Sequence, residues 1–205
     1  DAPLIECDVS EDENVERAYE TLGAEFGRLD YIVHSIAYAN RDDLGGPFVE
    51  TSREGFAVAL DVSAYSLVPI ARYGAPLMGE DGGSILTMTF QASTSVFPGY
   101  NVMGTAKAAL ENEVKQLAND LGPQNIRVNA ISAGAMRTLS LAGISGGRGM
   151  IAQGRAMSAM KEDTSMEGVA GCALWLCSDL GFSTTGEVVH VDAGFHMMGL
   201  GDADE

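Results

Sequence analysis

Tyr100 and Lys107 stand seven residues apart in GYNVMGTAKAALENEV (99–114), a stretch that reads as the start of a helix. Seven residues advance an α-helix about two turns, roughly 10 Å, and return a side chain to within about 20° of its starting direction. A phenol and an ammonium on one face could act together. The hydroxyl can hydrogen-bond a substrate oxygen and stabilise an enolate, while the lysine reaches a ribose hydroxyl and adds positive charge nearby. A spacing of four would hold the two groups about 6 Å apart. That position is Gly104, so the shorter pair is absent. The longer gap suits Lys107 to holding a cofactor better than to depressing the Tyr100 pKa. A Tyr and a Lys at this spacing also occur as plain surface residues, so the surrounding elements must decide.

Those elements alternate. Apolar runs of strand length at 29–34, 84–90, 126–132 and 187–191 are separated by helical patterns, the signature of βαβ units around a parallel sheet. Residues 3–7 (PLIEC) read as the end of a further strand. Ser10 with Glu13, Thr51 with Glu54 and Thr164 with Glu167 are capping-box signals for helices at 10–27, 51–78 and 164–176, with Pro69 bending the second. The helix carrying Lys107 follows Pro98-Gly99 and ends near Leu121, where Gly122-Pro123 predicts a left-handed stop and a breaker. Residues 133–160, rich in Gly, Ala, Ser and Met, read as a mobile loop with a short helix near 148–160. Small residues at Ser35–Ala37 and Ala133–Thr138 follow strands, where ligands of open α/β sheets bind. Each cluster standing alone would read as a tight turn. No G-x-G-x-x-G loop precedes residue 30, so the chain is expected to begin mid-fold, lacking the first βαβ portion of a Rossmann-type, three-layer, doubly wound sheet.

With 205 residues the chain fits one domain, 1–205, and 46% apolar with 20% charged residues is a globular balance. A net charge of -17 with only 12 basic residues argues against nucleic acid and anionic membrane surfaces as partners. No apolar run approaches the ~20 residues of a membrane span, and no signal segment opens the chain, so the cytoplasm is the expected location. Cys7, Cys172 and Cys177 have neither disulfide nor zinc spacing and read as buried free thiols. His34, His190 and His196 lack metal-ligand spacing and read as structural or solvent-facing. Met150, Met157 and Met160 recur at helical intervals and suit either an acyl pocket or ordinary packing.

Together HSIAYA (34–39), YNVMGTAK (100–107), RVNAISAG (127–134), RT (137–138), LCSDL (176–180) and GEVVHVDAG (186–194) resemble the enoyl-acyl-carrier-protein reductases of bacterial type II fatty-acid synthesis. These are divergent short-chain dehydrogenases/reductases with a Tyr-x6-Lys pair, and the resemblance runs in order from residue 1 to about 198. It implies hydride transfer from NADH, with NADPH not excluded, to the β-carbon of a trans-2-enoyl thioester on acyl carrier protein, in a homotetramer. Tyr100 then matches the hydroxyl donor to the thioester carbonyl and Lys107 the binder of the nicotinamide ribose. Asp8 and Val9 match the pair flanking the adenine, and Ser35, Ile36 and Ala37 the turn along the cofactor. Ile131, Gly134 and Thr138 match contacts to the nicotinamide and pyrophosphate. Phe90, Tyr100, Met103, Ile144 and Met150 are the implied acyl-binding residues, the last two within a substrate loop and helix at 139–160.

Three departures from that pattern matter. Phe90 stands where many members have a second tyrosine, which leaves Tyr100 as the lone phenol. Ala135 replaces a usual proline and loosens its turn. Gly146, Gly147 and Gly149 replace basic and aromatic loop residues and retain only Arg148, so weaker docking of the acidic carrier is expected. Two other readings stay open: a ketone/alcohol oxidoreductase of the same superfamily, disfavoured by Gly104, and a catalytically silent fragment or assembly subunit.

Overall fold

In a computed structural model, which describes residues 2–138, 141 and 147–200, four parallel strands pair in the order β1-β2-β3-β4. They are β1 (Tyr31–His34), β2 (Gly83–Thr89), β3 (Ile126–Ala133) and β4 (Val188–Val191). The ladders run Ile32 to Ile85, Ile85 to Val128 and Ile131 to Val189. Parallel neighbours need crossovers, and helices supply them. Helix α1 (Asp12–Phe26) precedes β1; α2 (Arg53–Leu60) and α3 (Leu67–Gly74) join β1 to β2. Helix α4 (Val102–Leu121) joins β2 to β3, and α5 (Gly147–Met157) with α6 (Met166–Cys177) lead to β4.

Period-two alternation divides the core into two layers around the sheet. Ile85, Ile126, Val128 and Ala130 face α1, α3 and α4, packing with Val15, Leu67, Leu110 and Val114. Leu86 and Ile131, next to Ile85 and Ala130 in sequence, face the other way with Ala133, onto Leu176 of α6. Each such fully buried Leu or Ile stabilises the fold by about 1.5–3 kcal/mol. The result is the three-layer parallel α/β sandwich that the alternating pattern predicts.

Several local expectations shift. Residues 3–7 are in no strand: among the described residues nothing lies beside them to complete a ladder, and Leu4 is fully exposed. Ser10 does not cap α1; its N–H and hydroxyl both donate to Asp8 Oδ1, at 3.0 and 2.7 Å, which builds an Asx turn instead. Ser52 rather than Thr51 caps α2, accepting from Gly55 N at 2.9 Å, and Ser165 rather than Thr164 caps α6, accepting from Gly168 N at 2.9 Å. In both, the second hydroxyl of an adjacent pair takes the cap. Pro69 acts four residues upstream, because it can neither donate to nor clear the carbonyl of Tyr65. The helix answers with a π segment at Asp61–Tyr65. Gly122 stays right-handed, and the left-handed residue of that stop is Asn125, φ 59°.

The helical stack Arg53–Met78 is long and apolar enough to cross a bilayer by length and composition. It is half buried within the fold, with Leu67, Ile70 and Ala71 in the core. Cys7 is exposed and Cys172 and Cys177 are partly buried, so none of the three thiols is fully enclosed; two sit on or beside a helix whose outer face is open.

His34 ends β1 in a fully buried position, with Nδ1 2.8 Å from Thr87 Oγ1 and Nε2 2.8 Å from Ser66 Oγ. Burial, then the Lys107 charge, push its pKa down to about 4 from 6.5. The unfolded chain therefore binds the extra proton across that window, and stability holds above pH 6.5 and falls as pH drops toward 4. This one group accounts for a loss of roughly 3 kcal/mol. The unfolding free energies of wild type and His34→Asn, read from urea titrations, should converge by about that amount between pH 7 and pH 4. A gap independent of pH would show that His34 does not titrate this way.

Candidate active site

All four strands point the same way, so their carboxyl ends form one edge carrying Ser35, Phe90, Gly134 and Asp192. Open α/β sheets take ligands there. Lys107, in the second turn of α4, is buried and donates from Nζ to Met88 O, one residue before the end of β2, at 2.9 Å. Burial pushes its pKa down to about 8, against an opposing pull from the Glu111 carboxylate, whose Oε1 accepts from Thr89 Oγ1 at 2.7 Å. An ammonium has three donors, and the hydrogen bond to Met88 leaves two for a diol.

Tyr100 lies outside α4. Gly99 and Asn101 both take positive φ, 84° and 41°, so the chain turns at Tyr100 and the helix opens at Val102. The two-turn helical geometry drawn from the spacing does not apply, because the first of its seven steps are made by a turn. The Tyr100 ring stands edge-on to Phe90 with centroids 5.2 Å apart, and Phe90 meets Phe97 at 4.7 Å. Its hydroxyl has no hydrogen-bond partner among the described residues. Burial pushes the phenol pKa up to about 12, so it is a standing donor at neutral pH.

Beside this aromatic group opens a cavity of about 260 Å³, lined on one side by Phe90, Phe97 and Phe195 and on the other by Met150, Ile151 and Met157 of α5. Gly134 and Ala135 form part of its floor. Gly134 donates to Val191 O at 2.9 Å, and a Cβ there would overlap Thr164 Oγ1 and press on Asp192. Gly134→Ala should therefore cost about 1–3 kcal/mol of stability, read as a lowered thermal midpoint. An unchanged midpoint would mean the 162–164 segment does not pack there.

The other expected site residues fall into three groups. Ser35 and Ala37 are exposed at the end of β1, and Ile36 packs against the first core layer. Asp8 is exposed, its carboxyl held below the usual range first by the Ser10 hydroxyl; Val9 is half-buried on the same core layer. Ile131 is fully buried in β3, so its side chain belongs to the core, and Met103 is buried with its sulfur 3.7 Å from Ser63 Oγ, away from the cavity. Thr138 is exposed and accepts from Leu141 N at 3.2 Å. Ile144 lies outside the described residues, as do 139–140, 142, 143, 145 and 146 of the expected substrate loop.

The residues that sequence reasoning missed come from distant segments. Phe97 and Phe195 meet at 5.9 Å, and buried Asp192 accepts from Gly194 N and His196 N at 3.0 and 2.9 Å. The His196 ring stacks on His190 at 3.9 Å. Arg155 forms a two-pronged ion pair with Asp163 at the cavity wall. No local spacing rule announces any of these.

A parallel sheet flanked by helices on both faces, with a lysine amine under the carboxyl edge and a free phenol that meets the cavity through Phe90 rather than lining it, defines a Rossmann-type α/β oxidoreductase. The family model described as enoyl-(acyl carrier protein) reductase matches residues 1–196, and the chain belongs to that family. It is 45% identical over 197 residues to the NADH-type enoyl-acyl-carrier-protein reductase of Nostoc sp. (strain PCC 7120), covering 96% of this chain and 76% of that one. The NADPH-type enzyme of Staphylococcus aureus (strain MRSA252) is 47% identical over 196 residues, with the same coverages. The crystal structure of the Bacillus cereus enoyl-acyl carrier protein reductase with NADP+ and an indole naphthyridinone superposes with TM-score 0.94 at 46% identity, over 98% of this chain and 77% of that one.

Proposed function

We propose that this chain reduces the double bond of a trans-2-enoyl thioester carried on acyl carrier protein, with NADH as the reductant, as a step of type II fatty-acid synthesis. The observation that carries the reading is a free, protonated phenol and a buried ammonium with donors to spare at one sheet edge, in a chain that matches the reductase family from end to end of the fold. The donor set fits a nicotinamide dinucleotide: Lys107 supplies N–H groups for a ribose diol, and the exposed Ser35 and Ala37 turn and the Gly134–Ala135 floor let backbone approach closely. When bound, the cofactor supplies hydride to the β-carbon.

The chain's own residues do the rest. Tyr100 donates its hydrogen bond to the thioester oxygen as negative charge gathers there, where low solvent access makes each donor count most. Phe90, Phe97, Phe195 and Met150 exclude water and take the acyl chain. Asp8 and Val9 would flank the adenine, and Thr138 a phosphate.

The same reading makes the chain one Rossmann-type unit of a homotetramer in the cytoplasm. What supports assembly is an apolar outer groove between α2 and α4, lined by Ala57, Leu60, Ala64 and Tyr65. Glu113 closes that groove with one oxygen buried and unpartnered, and burial pushes its carboxyl up to about 7.

Consumption of NADH with a crotonyl-type thioester tests the activity, read as falling NADH absorbance. Turnover of ketones alone would favour the ketone/alcohol reading, and tight NADH binding without turnover would favour a silent subunit.

A further inference from the structure

We infer that the Arg155–Asp163 fork is a latch holding helix α5 over the cavity, so that these two are positioning residues for the acyl substrate. The inference rests on the reductase reading proposed above. Arg155 Nε donates to Asp163 Oδ1 at 2.8 Å and Nη2 to Oδ2 at 2.7 Å, the parallel geometry that gives arginine–carboxylate pairs their directionality.

The two partners sit on different walls. Arg155 belongs to α5, which brings Met150, Ile151 and Met157 to the cavity. Asp163 belongs to the strap 162–164, whose Thr164 packs on Gly134 at the sheet edge. Beyond the helix the chain is pinned to the frame by Met160 N, which donates to Ala193 O at 3.1 Å, while buried Ser158 closes the helix end by donating to Arg155 O at 3.1 Å. Residues 158–160 therefore make a fixed pivot, and the cavity-lining turns of α5 lie beyond it. The fork is an ion pair that joins α5 to the strap across that pivot. Both side chains are about half exposed, so the fork opens into water at small cost, which suits a latch better than a permanent strut. Arg137 adds positive charge near Asp163 from the segment after β3.

A latch that sets the closed fraction acts on apparent affinity, since binding scales with the competent population. Asp163→Asn should raise KM for the enoyl thioester by about three- to tenfold, leaving kcat and the NADH dissociation constant within about twofold. Arg155→Lys, which keeps charge but not the fork, should fall between. The double exchange Arg155→Asp with Asp163→Arg should recover most of the loss. Unchanged KM in both single variants, or kcat and NADH affinity falling together with the thermal midpoint, would overturn the latch. Amide exchange across 147–157 reads it without substrate: faster exchange in Asp163→Asn is expected, and equal exchange would contradict it. A wild-type chain inert toward enoyl thioesters would sink the reductase reading alone, and the exchange measurement would still decide the latch.

Discussion

Tyr100→Phe should lower kcat for an enoyl thioester by about 10²–10³-fold while leaving NADH affinity within about twofold of wild type, because it deletes the donor that meets the developing enolate oxygen. The variant keeps the ring, and with it the edge contact to Phe90 at 5.2 Å, so the local packing survives. The neighbouring ring at position 90 is a phenylalanine, so it offers no second phenol in its place. The phenol pKa of about 12 sets the pH behaviour: the donor stays protonated through neutral and mildly alkaline pH, so its ionisation leaves no limb in the kcat profile below about pH 10. Steady-state kinetics beside an NADH titration separate the two quantities. A kcat within tenfold of wild type would remove Tyr100 from the reaction.

Lys107→Met should weaken NADH binding by on the order of 10–100-fold, the worth of one or two charged hydrogen bonds. Its effect on stability should run the other way. The ammonium is buried against one carbonyl, Met88 O, and an apolar side chain of similar length removes that desolvation cost, so the free variant should unfold at a higher temperature. The titration carries the same sign. The folded pKa is about 8 and the ordinary value 10.5, so between them the unfolded chain binds more protons and wild-type stability rises with pH. Binding of NADH, which needs the charged donor, should weaken over that same range, and the trend should vanish in Lys107→Met. Isothermal titration at pH 7, 8 and 9 checks it. Equal affinity in variant and wild type would mean that Lys107 serves only the core beneath β2.

These two residues also mark how far a linear reading reaches. The sheet was legible because period-two alternation is local: Ile85 and Leu86, or Ala130 and Ile131, declare opposite faces side by side. Helices were legible from their apolar periodicity, but the caps at Ser52 and Ser165 were displaced by one residue, because a hydroxyl pair does not announce which member meets the free N–H. The pattern puts Tyr100 at the very start of a helix that in fact opens at Val102, two residues after it. The positive φ of Asn101, a residue that tolerates the left-handed region, was the signal overlooked. The cavity was largely illegible. Phe97 and Phe195 meet across nearly a hundred residues, and Arg155 finds Asp163 through a turn that no spacing rule encodes. Motif resemblance supplied the chemistry at that point, and the fold supplied the neighbours.

Deuterium tracing tests the central claim most directly. The chain should be incubated with NADH deuterated at the transferable C4 position and a trans-2-enoyl thioester, and the saturated product read by mass spectrometry and NMR. The account predicts one deuterium at the β-carbon, with the α-proton drawn from solvent. Label at a carbonyl carbon, or no transfer from an NADH that is demonstrably bound, would contradict it.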